Sequence, residues 1–196
     1  MKKIIKEKIR CPWSESDDLM RRYHDTEWGT PQHAQGVLFE YILLDSFQAG
    51  LSWATILKKR ENFRKAFAGF DPAKIAKFDK RKVQALLKDA GIIRHRGKIE
   101  ANIGNAKVFL EIQKEFGGFD SYLWQWVGNT PKQNSWKTEK SIPAKTELSD
   151  LVSYDLKKRG FRFFGSTICY AFMQGSGLVN DHVVFCFRWR EVQRKR

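Results

Sequence analysis

Cysteine and histidine are scarce in this chain of 196 residues, which contains three cysteines and four histidines. A small, odd number of cysteines argues against a disulfide framework, so we expect a reducing compartment. Long apolar runs are also missing, because the longest, 37–44, contains Glu40 and is too short to cross a bilayer. No apolar signal core follows Met1, and we therefore expect a cytoplasmic protein that does not contact a membrane.

Alternating runs of apolar and polar residues, which would indicate strands, are absent, and apolar spacing is helical almost throughout. We therefore predict an all-α fold, and the length favours a single domain over residues 1–196. Residues 128–146 are polar and interrupted by Pro and Gly, which is typical of a loop. The predicted helices are 16–25, 37 to Gly50, 53–70, 71–79, 81–91, 98–117, 147–160 and 163–177.

Acidic residues are outnumbered, because 36 Lys and Arg face 22 Asp and Glu and the net charge is +14. Such a charge indicates a polyanionic partner, most simply nucleic acid, although a basic surface can also serve solubility alone. Both ends of the chain are basic. We predict that residues 1–10 and 188–196 are flexible tails that either contact phosphates loosely or are only solvated.

His182 and Cys186 lie one helical turn apart in 180-NDHVVFC-186, but a structural zinc site needs four ligands. Cys11 and His24 are the candidates to complete a Cys2His2 site that would join the two ends of the chain. Such a site would leave no open position for a reactive water. Spacing alone does not decide the question, because the alternative is a core cysteine with solvent-facing histidines. The cysteines and histidines without ligand-like neighbours are Cys169, His33 and His95.

Five longer stretches carry a pattern of their own: 23-YHDTEWGTP-31, 48-QAGLSWATILKKRENFRKAF-67, 89-DAGIIRHRGKIEA-101, 156-LKKRGFRFFGSTICYAFMQ-174 and 177-GLVNDHVVFC-186. In this order they resemble the bacterial DNA-3-methyladenine glycosylase I family, a zinc-containing branch of the helix-hairpin-helix base-excision glycosylases. The resemblance implies that fold and one structural Zn²⁺ per chain. The ligands it implies are Cys11, His24, His182 and Cys186.

The same resemblance implies an enzyme that removes 3-methyladenine from alkylated double-stranded DNA and leaves an abasic site. Such an enzyme must extrude the nucleotide and hold its base in a pocket. By similarity to the family, Trp53 stacks on the base while Trp13 and Trp28 line the pocket. For any one of these tryptophans taken alone the alternative is ordinary core packing, so the prediction depends on the cluster. A further aromatic residue implied near Met20 is missing.

Asp45 falls on the apolar face of its predicted helix, where a carboxylate needs partners. The family usually carries Glu at the aligned position, as the residue that recognises the base and supports the transition state. The resemblance therefore implies Asp45 as the catalytic residue, with a side chain shorter by one methylene and with Tyr23 as a second polar contact. Its negative charge would stabilise the positive charge that develops on the sugar. The alternative is a structural role, such as pairing with an Arg or capping a turn.

The stretch 89-DAGIIRHRGKI-99 contains a basic turn that resembles the family's hairpin. The amides at the start of its second helix would bind a phosphate, although a solvated basic turn is the alternative. Gly50 and Leu51 lie between two predicted helices, and Leu51 is predicted to fill the gap that the extruded nucleotide leaves. The predicted contacts of the hairpin with DNA are Arg94, Arg96, Gly97 and Lys98.

Two other classes of function stay open. One is a non-catalytic protein of the same fold that binds alkylation damage, which the shorter side chain at Asp45 would favour. The other is a zinc-stabilised helical regulator, although no separate recognition helix is apparent in the sequence. No lysine is marked as a Schiff-base nucleophile, so we expect a hydrolase without lyase activity, and we expect a monomer.

Overall fold

The computed structural model describes residues 8–194, and these residues fold into α-helices, short 3-10 turns and one pair of two-residue strands. The all-α prediction is confirmed. The helices are α1 (Asp18–Thr26), α2 (Gln35–Gln48), α3 (Trp53–Lys58), α4 (Arg60–Ala66), α5 (Pro72–Ile75), α6 (Lys80–Lys88), α7 (Arg96–Phe116), α8 (Phe119–Trp124), α9 (Glu147–Arg159), α10 (Ser166–Gly175) and α11 (Phe187–Glu191). The 3-10 turns are Pro12–Ser16, Ala68–Phe70, Gln125–Val127, Glu139–Ser141 and Val192–Arg194.

The central helix is α2, and its residues 38–47 are all buried. This pattern is typical of a helix that is packed on every side, not of an amphipathic surface helix. α3, α7, α8 and α10 pack against it. α2 ends at a turn in which Gly50 has φ of 82°, a left-handed conformation that glycine adopts without steric cost.

The predicted helix 53–70 is wrong as one element, because it is divided into α3, α4 and a 3-10 turn. The backbone leaves the helical region at Lys59 (φ −100°, ψ 1°) and at Phe67 (φ −106°, ψ 40°). Helix α8 was not predicted. Segment 128–146 contains only the 3-10 turn Glu139–Ser141 and strand β1 (Lys132–Gln133), which pairs in parallel with β2 (Val179–Asn180).

The prediction of a flexible carboxyl-terminal tail from 188 is wrong for the described residues. Arg188 belongs to α11, is buried, and donates to Thr30 Oγ1 over 2.5 Å. At the other end, Arg10 is half-buried and its Nε and Nη2 each donate to Asp25 over 2.9 Å. Residues 1–7 and 195–196 of the two predicted tails lie outside the described residues. None of the helices within 8–194 has both the length and the apolar character that a membrane span requires.

Candidate active site and metal centre

A cavity of about 500 Å³ opens between α1, α2, α3, α10 and the loop around residue 140. Its lining comes from separate segments, since Tyr23 lies on α1, Asp45 on α2 and Trp53 on α3. Met20 also lines the cavity, in the region where the sequence resemblance implies an aromatic residue. The structure thus brings together all the side chains predicted to bind the base or to catalyse: Trp13, Tyr23, Trp28, Asp45 and Trp53.

The aromatic rings of the cavity pack edge-on or tilted. The centroids of Trp13 and Trp28 are 5.1 Å apart with an interplanar angle of 77°, and those of Tyr23 and Trp53 are 5.3 Å apart at 49°. Such contacts use ring edges against ring faces. Because neither pair of rings is stacked face to face, a planar base can pack against the face of one ring without separating the pair.

Asp45 is 5% exposed, and no ion pair or hydrogen bond of its carboxyl is found among residues 8–194. Burial raises its pKa well above the ordinary value of an aspartate. Glu40 on the same helix is equally buried, but it accepts from Arg60 Nε over 2.6 Å and from Arg64 Nη2 over 2.8 Å. The arginines that reach α2 are thus bound to Glu40, and the predicted alternative of an Arg partner for Asp45 is wrong.

Tyr23 is also buried, and burial, followed by the nearby acidic groups Tyr41, Asp45 and Glu27, raises the pKa of its phenol well above the usual value. The phenol therefore stays neutral and can both donate and accept a hydrogen bond. A Cβ at Gly175 would lie 3.2 Å from the Tyr23 hydroxyl. Glycine at that position leaves room for the hydroxyl.

Several cavity residues were missed by the sequence analysis. Four of them belong to one segment, 139–144, which we call the roof segment. Its Glu139 Oε1 accepts from the backbone amide of Trp13 over 2.7 Å. The missed residues are Gln48, Glu139, Ile142, Pro143, Ala144, Thr167, Tyr170, Ala171 and Gln174.

Asp181 connects the loop that precedes the roof segment to the cavity wall, and it is fully buried. Its Oδ1 accepts from Asn134 Nδ2 over 2.6 Å and from Trp136 Nε1 over 2.7 Å. Its Oδ2 accepts from the Tyr170 hydroxyl over 2.6 Å and from Gln174 Nε2 over 2.7 Å. Four donors on one buried carboxylate satisfy the charge that burial would otherwise penalise.

The four predicted metal ligands come together, since one donor atom from each of Cys11, His24, His182 and Cys186 lies within 4.8 Å of the others. All four residues are buried. His182 Nδ1 is 3.6 Å from each of the two sulfurs, and His24 Nε2 is 3.4 Å from the Cys186 sulfur. Metal bonds of about 2.3 Å to sulfur and about 2.0 Å to nitrogen in a tetrahedron separate the sulfur and the nitrogen by about 3.5 Å, close to these distances. The alternative of solvent-facing histidines is wrong, and this group could bind a metal ion.

Neighbouring groups orient both histidine rings. His24 Nδ1 is 2.8 Å from Asp25 Oδ1, and His182 Nε2 is 3.1 Å from the backbone oxygen of Trp28. Each contact leaves the other ring nitrogen free to bind a metal. Hydrogen bonding from the Cys11 thiol lowers the pKa of Cys186; burial opposes this shift, and hydrogen bonds from His182 and His24 lower the pKa further. A thiolate is the form of cysteine that binds a metal.

The basic turn at the start of α7 has two kinds of cationic side chain. Arg94 and Arg96 are exposed, as a phosphate contact requires, and a Cβ at Gly97 would lie 3.1 Å from the ring of His95. Lys98 is instead 5% exposed, and its ammonium donates to backbone oxygens of α2 and the residue that caps it. The sequence predicts a DNA contact for the Lys98 side chain, but the structure places its ammonium inside the protein, bonded to these two oxygens.

Leu51 stands at the turn between α2 and α3 and is 41% exposed, directly after Gly50. Its amide donates to the backbone oxygen of Gln48 over 2.6 Å. We call residues 49–51 the wedge turn. Its side chain is thus accessible at the tip of the turn, as the predicted insertion into a duplex requires.

Known proteins that resemble this chain over most of its length are 3-methyladenine DNA glycosylases. Residues 13–189 match the methyladenine glycosylase family. The chain is 51% identical to DNA-3-methyladenine glycosylase 1 of Escherichia coli (strain K12), over 90% of this chain and 95% of that protein. It is 48% identical to DNA-3-methyladenine glycosylase of Haemophilus influenzae, over 90% and 96%. A structure concerning 3-methyladenine recognition by 3-methyladenine DNA glycosylase I from Staphylococcus aureus superposes with a TM-score of 0.88 at 33% identity, over 91% and 95%.

Proposed function

The chain belongs to the methyladenine glycosylase family, and from this membership and the geometry of its cavity we propose that it is a DNA repair glycosylase. It hydrolyses the N-glycosidic bond of 3-methyladenine in alkylated double-stranded DNA. The observation that carries the proposal is Asp45, a buried carboxyl without a partner among residues 8–194, in a cavity lined by five large aromatic side chains. An unpaired carboxyl of this kind is costly, and a cationic base in the cavity would offset that cost.

The reaction needs charge stabilisation more than proton transfer. Adenine methylated at N3 is cationic and leaves the sugar as a neutral molecule, so the leaving group needs no acid. We assign Asp45 the role of accepting a hydrogen bond from the base and of stabilising, when ionised, the positive charge that develops on the sugar. Tyr23 supplies a second polar contact. Trp53 stacks on the base, while Trp13 and Trp28 form the remaining aromatic wall.

The duplex is held by its backbone and opened at the lesion. Arg94, Arg96 and the amide of Gly97 contact phosphates next to the start of α7, without reading the sequence. Gly50 and Leu51 enter the gap that the extruded nucleotide leaves. The protein works as a single-domain monomer in the bacterial cytoplasm, where the DNA of the named bacterial relatives lies.

The Cys2His2 group holds one zinc ion, and the zinc is structural because four protein ligands leave no position for a reactive water. Cys11, His24, His182 and Cys186 would hold the ion, which would crosslink the two ends of the chain beside the cavity. Elemental analysis of the native protein should give close to one zinc per chain, and Cys186→Ser should lose most of it. A folded native protein without bound metal would exclude the site.

The test of function uses duplex DNA treated with a methylating agent. The protein should release 3-methyladenine, identified by chromatography, and leave abasic sites that alkali converts to strand breaks. Retention of methylated DNA on the protein without any released base would favour the non-catalytic damage-binding alternative. Equal binding to methylated and unmethylated DNA without release would exclude both functions.

A further inference from the structure

Lys98 is a buried cation that bonds to a neighbouring helix. It lies in the first turn of α7 and is 5% exposed, and its Nζ lies 2.7 Å from the backbone oxygen of Phe47 and 2.5 Å from that of Ala49. None of the ion pairs among residues 8–194 includes it. Burial lowers the pKa of its ammonium, so these two carbonyls must compensate for lost solvation.

The two carbonyls belong to the end of α2 and to the residue that caps it. The last carbonyls of a helix have no partner within the helix, and the negative end of the helix dipole favours a cation there. Ala49 is the first residue of the wedge turn, and Gln48, which lies between the two carbonyls, lines the cavity. The Lys98 ammonium thus stabilises the backbone that carries both the wedge turn and one wall of the cavity.

A second bond links the same two helices. Asn102, one turn further along α7, donates to Ser46 Oγ over 2.6 Å and to the backbone oxygen of Lys98 over 2.9 Å. By contrast, Arg94 and Arg96 near the start of α7 are exposed. At the start of α7 the two arginines are therefore exposed to solvent, whereas the Lys98 ammonium faces the wedge turn.

From this arrangement we infer that Lys98 is a positioning residue that connects the DNA-binding hairpin to the wedge turn, and that it is not a phosphate contact. The inference rests on the proposed glycosylase function. When the hairpin binds the DNA backbone, the Lys98 bonds hold Leu51 at a fixed position relative to the bound phosphates. Without them the wedge turn is free to shift, and a displacement of about 1 Å can cost up to about 100-fold in rate.

The test compares Lys98→Met, which removes the ammonium but keeps an apolar stem, with Lys107→Met on the same helix, where the lysine is exposed. Lys98→Met should slow single-turnover excision at saturating protein by at least about tenfold. It should leave the slope of log affinity against log salt on undamaged duplex unchanged. Arg96→Met should lower that slope by about 0.9, as expected for one lost phosphate contact. Lys107→Met should match the wild type in both measurements.

A fluorescent base next to the extruded nucleotide reports directly on the position of the wedge turn in the duplex. With 2-aminopurine placed beside a stable abasic analogue, bound wild-type protein should give one fluorescence level and Lys98→Met a different one at equal saturation. A salt slope lowered by about 0.9 in Lys98→Met would overturn the inference, because it would identify a phosphate contact. Wild-type rates and fluorescence in that variant would also overturn it. Failure of the wild-type protein to excise would instead reject the proposed function.

If Lys98→Met does not fold, the wild-type protein labelled with ¹⁵N-lysine provides the same distinction. One ammonium should exchange slowly with water and keep its chemical shift when undamaged duplex is added. Fast exchange for every lysine, or a large shift of the slow signal on DNA binding, would contradict the inference.

Discussion

The side-chain amide of Gln174 donates to Asp181 Oδ2 over 2.7 Å, and this bond determines which end of the amide is available to a ligand. An ionised carboxylate only accepts hydrogen bonds, so Gln174 must present its NH2 group to Asp181. Its Oε1 then remains as an acceptor in a residue that lines the cavity. The exocyclic amine of an adenine is a donor that such an acceptor can bind.

We expect Asp181→Asn to destabilise the protein more than a typical surface substitution. The variant keeps one acceptor oxygen but turns an NH2 group toward two of the four donors, and hydrogen bonds to a charged group contribute about 1.5–3 kcal/mol each. Urea unfolding should show a loss of about 3 kcal/mol or more. Asp155→Asn, in a partly exposed carboxylate that accepts from Tyr122 and Arg159, is the matched control and should lose less. A loss below about 1 kcal/mol for Asp181→Asn would show that its four bonds add little stability.

Asp25→Asn should weaken metal binding although Asp25 is not a ligand. Partial burial opposes ionisation of Asp25, but hydrogen bonds from Arg10 and His24 lower its pKa, so the carboxylate that orients His24 is charged. Loss of such a partner typically costs about 10–100-fold in metal affinity. Competition with a chromogenic zinc chelator measures the change. Asp18→Asn, which is exposed on the same helix, should bind zinc as the wild type does.

The sequence predicts the aromatic side chains and Asp45 of the cavity, but not the roof segment. Tyr23, Asp45 and Trp53 lie on helices, and Tyr23, Trp28 and Trp53 lie in stretches that resemble a known family. The roof segment has neither property, because it lies in a polar region with Pro and Gly that shows no period. The loop that precedes it is bonded to Asp181, and the four donors that bind Asp181 come from two segments far apart in the sequence. Long-range hydrogen bonds of this kind leave no local pattern in the chain.

For Lys98, by contrast, the sequence itself contains a signal that the side chain is buried. It shares the buried stripe of α7 with Asn102, Asn105, Phe109 and Ile112, at the spacing of one helix face. Its basic neighbours Arg94 and Arg96 favour a DNA contact, whereas the helical spacing indicates burial, and the structure agrees with the spacing. The flexible tail predicted from 188 failed similarly, because basic composition gave no sign of the buried partner of Arg188.

Charge reversal at the exposed hairpin arginines should weaken binding to all DNA alike. Arg94→Glu and Arg96→Glu each replace a cation beside the start of α7 by an anion, and backbone contacts carry no sequence information. Affinity for methylated and undamaged duplex should fall by the same factor, and the salt slope should decrease by about 0.9 for each lost contact. Lys107→Glu controls for net charge. Unchanged affinity in both arginine variants would show that the hairpin does not bind the backbone.

We expect the buried carboxyl of Asp45 to lower the free energy of unfolding of the DNA-free protein as the pH rises. Burial raises its folded-state pKa well above the value of an unfolded aspartate, so the folded protein holds this proton more tightly than the unfolded chain. The stability associated with the neutral form is complete below the unfolded pKa of about 3.9 and is lost as the pH rises through the raised folded pKa. Asp45→Asn cannot ionise and does not suffer this loss. Its advantage in urea unfolding over the wild type should therefore be larger at about pH 8 than at about pH 5.

The same substitution should greatly reduce catalysis. Asp45→Asn should bind methylated DNA about as well as the wild type, because the backbone contacts and aromatic walls are unchanged, yet excise far more slowly in single turnover. Asp45→Glu restores the carboxylate and should keep substantial activity. If Asp45→Asn is more stable but slower than the wild type, the Asp45 carboxyl lowers stability and is needed for catalysis. Release of 3-methyladenine by Asp45→Ala at the wild-type rate would make Asp45 structural, and catalysis would then depend on Tyr23 and the aromatic walls alone.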